Sequence, residues 1–244
     1  MKRLLANIEV PALVVVPFLL AFCAYFQCDQ SAFLTILVTT LTVGLFFLHF
    51  ETSAPALRQI MPIAVLAALA AAGRILFAPI PDFKPVSAIC IIAGAVFGRQ
   101  SGFMVGALAA LTSNFFFGQG PWTPWQMYSW GLIGYLAGIF AAHHLLSRRF
   151  FLLGFGFLSG LLYGFILNSW YIVGFIHPIT LPTALSAYLA GAPFDLIHSI
   201  ATVLFLAILY EPWQKKLQRI RIKYACIQTS TSPTTQSPTH QCPL

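Results

Sequence analysis

Arg74, Asn114, Gln126, Asn168 and Asp195 each stand in or at the edge of a long apolar run, and each falls in the same half of its run. Their types suit recognition better than bond breaking. Arginine presents a fork of donors, a carboxylate accepts, and the amides of Asn and Gln do both. Arg74 interrupts an otherwise apolar helical stretch, where a central arginine costs about 2.5–3.5 kcal/mol to insert into a bilayer. It is expected to face a bundle interior with Asp195, which follows Pro193, as its natural partner; the alternative is snorkelling toward headgroups from a position near Ala78. Asp195 also suits an N-cap-like place at the start of its helix. Asn114 or Asn168 alone would be ordinary interhelical glue. Five polar groups converging in one half of five runs, with the opposite halves nearly bare, mark a candidate binding site.

The stretch GQGPWTPWQM at 118–127 joins two of these runs. Gly and Pro break helices there, and Trp122 and Trp125 bracket Pro124 at a spacing that can set two rings around a flat ligand. The competing use of both tryptophans is anchorage at headgroup level. Gln126 opens the following run, where its amide can read a ligand's polar edge. Nothing points to catalysis. No Ser-His-Asp, HExxH, Walker or GxGxxG pattern occurs, so the chain does not hydrolyse ATP by itself. His143 and His144, beside Arg148, read as interfacial, and His198, one turn below Asp195, as a simple hydrogen-bonding partner. The five cysteines form no CxxC pair and have no His at metal spacing, so neither a metal nor a cofactor is expected.

The elements that must position these residues are membrane helices. The chain is 59% hydrophobic and 8% charged, against about a quarter charged in a soluble domain. Its apolar runs exceed the ~10 alternating residues of a membrane strand, which favours helices over a barrel. Eight runs follow one another at about 8–26, 32–50, 59–78, 86–97, 102–117, 127–146, 150–175 and 188–210. The run 86–97 is short for a span of ~20 residues and follows Pro79, Pro81 and Pro85, so it is tilted or forms a hairpin with its successor. The first run, with no small-residue cleavage site behind it, reads as a retained anchor.

Charge sets the orientation. Lys2 and Arg3, Arg58, Arg99, Arg148 and Arg149, and Lys215, Lys216, Arg219, Arg221 and Lys223 fall at alternate ends of the runs. Placing them all in the cytoplasm needs an even number of crossings, which eight runs supply, and both termini are then cytoplasmic in a multi-pass plasma-membrane protein. The opposite face holds Asp29 and the connections 79–85, 118–126 and 177–182. The net charge of +7 is explained by this bias, and with no aromatic-interleaved basic patch nucleic acid is not a partner. The boundary near Arg58 divides a two-helix N-terminal membrane appendage (1–58) from a six-helix substrate-binding core (59–212), followed by a tail (213–244) that is first basic and then, from 228, Thr/Ser/Pro/Gln-rich and disordered.

The first core helix reads MPIAVLAALAAAG over 61–73. Ala64, Ala68 and Ala72 form one small-residue row and Ala67 and Ala71 another, a pattern that lets helix backbones approach closely, whether toward a partner or inside the bundle. With this alanine-rich helix ending in Arg74-Ile-Leu-Phe, the 79–85 segment leading into Val86-Ser87-Ala88-Ile89, and NFFFGQGPWTPWQ at 114–126, the region 59–212 resembles the substrate-binding S component of energy-coupling factor (ECF) vitamin transporters. The resemblance implies an all-α integral membrane protein with a six-helix S-component-like core preceded by two extra N-terminal transmembrane helices. It implies capture of a vitamin near the outer face by Arg74, Asn114, Trp122, Trp125, Gln126, Asn168 and Asp195. It further implies docking on a transmembrane coupling protein through Ala64, Ala68 and Ala72, with two partner ATPases driving import. Among the family's ligands the aromatic outer loops favour a large one such as cobalamin. The rival reading is a stand-alone secondary transporter of a small organic solute, for which repeated halves and midplane carboxylates are missing.

Overall fold

The computed structural model describes residues 2–26, 31–52 and 57–230. The 27–30 connection with Asp29, the 53–56 boundary and the tail from 231 lie outside the described residues. Eight α-helices follow in order: α1 (Lys2–Phe26), α2 (Ser31–Thr52), α3 (Leu57–Leu76), α4 (Val86–Phe97), α5 (Arg99–Phe117), α6 (Thr123–Ala142), α7 (Arg149–Phe175) and α8 (Leu181–Ser230). Among the described residues no strand forms, and α1, α2, α7 and α8 contain stretches long and apolar enough to cross a membrane. The fold is that of an all-α integral membrane protein.

The shortest helix is the centre. Ten of the twelve residues of α4 are buried, Val86 through Gly94 and Val96. At 1.5 Å per residue it reaches only about 18 Å, too short for a ~30 Å hydrocarbon core. It is completed by its neighbours: α3, α5, α6, α7 and α8 all pack on it. Gly98 alone links α4 to α5, with φ of +93°, a left-handed conformation that side-chain-bearing residues avoid. The two therefore form the hairpin that the short run and its prolines suggest. Where α5 crosses α6, Gly102 lies against the backbone of Gly134, and a Cβ on either would overlap the other's carbonyl. Small residues at this crossing replace side-chain packing with backbone contact.

The N-terminal pair is fastened to the core. Glu9, buried in α1, accepts hydrogen bonds from Gln100 Nε2 at 2.7 Å and Tyr135 Oη at 3.1 Å, and pairs with His49 Nδ1 at 2.6 Å. Arg99 Nη2 stands 3.6 Å from its other oxygen. Tyr128 of α6 donates to the carbonyl of Leu13 at 2.6 Å, and Phe46 of α2 stacks on Phe103 of α5 at 3.8 Å. The pair thus packs on α5, α6 and α7 as part of the bundle.

The last helix exceeds expectation. It begins at Leu181, before the expected 188, and continues as helix through the basic segment to Ser230, past 210 and past the 228 start of the expected disordered tail. Pro193 and Pro212 lie inside it. Beyond Pro212 the sequence WQKKLQRIRIK is built from good helix formers with apolar residues every three to four positions, which sustains the helix outside the apolar run.

Candidate functional site

The connections 77–85, 118–122 and 176–180 share one end of the bundle, and beneath them the polar residues meet. Arg74, in the last turn of α3, donates through Nη1 to Ser113 Oγ and Asn114 Oδ1, both at 2.7 Å. Asn114, fully buried near the end of α5, donates in turn to Gln126 Oε1 at 2.8 Å and Thr123 Oγ1 at 3.0 Å. Gln126 donates to Tyr163 Oη at 3.2 Å. Four helices, α3, α5, α6 and α7, are thereby joined by one chain of hydrogen bonds. Thr123 is held by the loop itself: Gln119 Oε1 accepts from its hydroxyl at 2.9 Å and the amide of Gly120 donates to it at 3.3 Å.

Tyr163 is the hinge between this chain and a second group. Its ring stacks on Trp130 at 4.8 Å and on His198 at 4.9 Å. His198 Nε2 lies 2.8 Å from Ser87 Oγ at the start of α4. One turn above His198, Asp195 accepts from Asn168 Nδ2 at 3.0 Å and sits directly against Gly164, where a Cβ would overlap its carboxylate. Buried polar atoms normally have partners. Trp130 Nε1 and His198 Nδ1, on the two rings flanking Tyr163, are buried with no hydrogen-bond partner.

The 77–85 segment closes over these groups. Lys84 lies over the rings of Trp130 and Tyr163, 5.6 and 5.3 Å from their centroids, and pairs with Asp82. Burial holds the Lys84 ammonium below the usual lysine range, an effect that Asp82 partly reverses and Arg74 reinforces. The Arg74 guanidinium lies 4.7 Å from the Phe117 ring centre and 5.1 Å from that of Trp130. Arg74, Phe77, Ile80, Asp82, Lys84 and Phe117 line a cleft of about 140 Å³. Larger apolar cavities lie elsewhere: two of about 330 Å³, one between α1 and α6–α8 and one between α3 and α8, and an open one of about 590 Å³ on the face of α1.

Sequence reasoning is corrected at several of its residues. Arg74 bonds to Ser113 and Asn114 in place of Asp195, because the α5 end is nearer to it than α8; Asp195 takes Asn168. His198 makes the simple hydrogen bond expected of it, to Ser87. Trp122 and Trp125 do not sit as a facing pair of rings. Helix α6 begins at Thr123, so Trp125 is a helical residue directed inward, fully buried and stacked on Trp170 at 6.3 Å, while Trp122 stays at the surface against Gly120. Lys84, Trp130, Tyr163 and Ser87 went unread. Tyr163 in the middle of an apolar run was the available signal, since a buried phenol needs a partner. Ala64, Ala68 and Ala72 are exposed on α3, while Ala67 and Ala71 face the bundle.

The arrangement offers donors, acceptors and aromatic faces, and among the described residues no cluster of three His, Cys, Asp or Glu forms. A family model, ECF-type riboflavin transporter, S component, matches residues 55–216, two-thirds of the chain. The chain belongs to this family. As an S component it is a transporter subunit, and the match spans α3 to the start of the α8 extension while leaving α1 and α2 outside. Comparison with curated proteins and with solved structures found no match.

Proposed function

We propose that this S component captures riboflavin, or a flat heteroaromatic vitamin closely like it, at the loop-rich end of the bundle. The observation that carries the reading is the continuous polar chain Arg74–Asn114–Gln126–Tyr163 beside the Trp130–Tyr163–His198 ring stack. A polycyclic heteroaromatic needs a ring face to stack on and an array of donors and acceptors along its edge. Arg74, Gln126 and Lys84 supply the edge, and Trp130 Nε1 and His198 Nδ1 are two further buried groups available to it. Asn168 and Asp195 extend the polar wall toward α8. Pockets for such ligands measure about 300–1,000 Å³. The 140 Å³ cleft is smaller, so the 77–85 segment swings away to admit the vitamin and closes on it.

Cobalamin loses its support. The preference for it rested on long outer loops, and the connections 118–122 and 176–180 are only five residues each. The family description points to riboflavin instead.

Import then requires partners: a transmembrane coupling protein docking on the exposed Ala64, Ala68 and Ala72 face, and two ATPases. The test is equilibrium titration of riboflavin and of cobalamin into the purified full chain without partners. Saturable one-to-one binding of riboflavin with cobalamin inert is expected. Absence of riboflavin binding, or binding of cobalamin alone, overturns the reading.

A further inference from the structure

We propose that the groove between α3 and the basic extension of α8 is a binding site for an anionic phospholipid. Its position and chemistry are independent of which vitamin the core takes. On α3, Val65, Leu66 and Leu69 form one wall; on α8 beyond Pro212, Trp213, Leu217 and Ile220 form the other, enclosing about 330 Å³. The spacing 213, 217, 220 is one stripe of a helix. That stripe meets α3 across an open slot, so its walls contact whatever fills the slot: Val65 remains 55% and Leu69 45% exposed.

Charge specifies the occupant. Lys216 lines the same groove, and Arg219 and Lys215 lie beside it on the helix surface, all three exposed. Among the described residues none of the three makes an ion pair, whereas the acid one turn earlier, Glu211, is engaged by Arg149 at 3.7 Å. The extension is also fixed in place. Arg221 Nη1 donates to the carbonyl of Val96 at 2.6 Å, at the end of α4, so the slot has a set width. Acyl chains match the apolar walls, a phosphate matches Lys216 and Arg219, and Trp213 is the aromatic that a headgroup boundary favours. A zwitterionic lipid would fill the walls and leave the cations with less. The slot borders the alanine face of α3, so the lipid would flank the surface offered to the coupling protein.

The experiment places the full chain in nanodiscs of phosphatidylcholine doped with phosphatidylglycerol and counts retained lipids by native mass spectrometry. One phosphatidylglycerol per chain is expected, preferred about thirtyfold through two cations. Lys216→Ala with Arg219→Ala should bring the preference near parity. Leu217→Trp, which fills the slot and keeps the charges, should lose the bound lipid of either kind. The charge variant is at the surface and should unfold at the wild-type temperature in pure phosphatidylcholine, whereas Leu217 is partly buried against the core, so the charge variant decides the proposal if Leu217→Trp unfolds earlier. Parity in the wild type, or an undiminished preference in the charge variant, overturns the proposal. So does a Leu217→Trp variant that keeps its lipid but fails to assemble with the coupling protein, which would assign the slot to a protein helix.

Discussion

Gly164 and Gly154 lie on the same helix and form a matched pair of probes. A Cβ at Gly164 would overlap the Asp195 carboxylate, while one at Gly154 would meet nothing within 4 Å. Gly164→Ala should therefore displace Asp195 from Asn168 and weaken vitamin binding about tenfold, the effect of losing one hydrogen bond to a charged group. Gly154→Ala should bind like the wild type in the same titration, and equal affinities for the two variants would remove Asp195 from the site. Trp125→Ala behaves differently. The residue is fully buried against Trp170, so truncation should cost about 3–5 kcal/mol of stability, read as a lowered unfolding temperature, with affinity retained in the folded fraction. At this scale the sequence was readable where a polar residue interrupts an apolar run: Arg74, Asn114 and Gln126 do meet. It was unreadable where the answer depends on side-chain direction. Trp125 looked like a loop residue because two prolines and two glycines precede it, yet a proline in the first turn of a helix is well tolerated, and α6 had already begun. Lys84 gave no signal, because nothing local reveals that its loop folds over Trp130.

The helices themselves were legible, since a run of about twenty apolar residues has few alternatives in a bilayer. Their ends were not. Helix α8 overran its apolar run because amphipathic basic sequence continues a helix as well as apolar sequence does. The attachment of α1 and α2 was hidden for a related reason: Glu9 is one acid near the start of a hydrophobic run, and its partners His49, Arg99, Gln100 and Tyr135 come from three other helices. Glu9→Ala would leave these donors without their acceptor. Breaking one side of a buried charged pair costs about 3–5 kcal/mol, and the loss should fall on the N-terminal pair first. Hydrogen exchange should rise across α1 and α2 while α4 stays protected. Unchanged exchange in α1 and α2 would mean that Tyr128 and Phe46 hold the pair without Glu9.

At the scale of the molecule, the two ends carry different chemistry. One end gathers Arg74, Asn114, Gln126, Tyr163 and Asp195 under three connections; the other carries the Glu9 cluster and the basic α8 extension, and the exposed alanine row of α3 runs between them up to Ala72. Ala68→Leu adds bulk on an exposed face, so vitamin binding by the isolated chain should be untouched while co-purification with the coupling protein fails. Lost binding with intact assembly would place that row inside the bundle. The central claim, that the polar chain running from Arg74 is the vitamin site, is tested most directly by titrating riboflavin into well-folded Arg74→Ala beside the wild type. Arg74 lines the cleft and, among the described residues, its two hydrogen bonds go to the neutral side chains of Ser113 and Asn114. The account predicts a ten- to hundredfold loss of affinity in the folded fraction, about the contribution of one or two hydrogen bonds to a charged group, with an unfolding temperature lowered by the unpartnered Asn114 Oδ1. Wild-type affinity in that variant would contradict it.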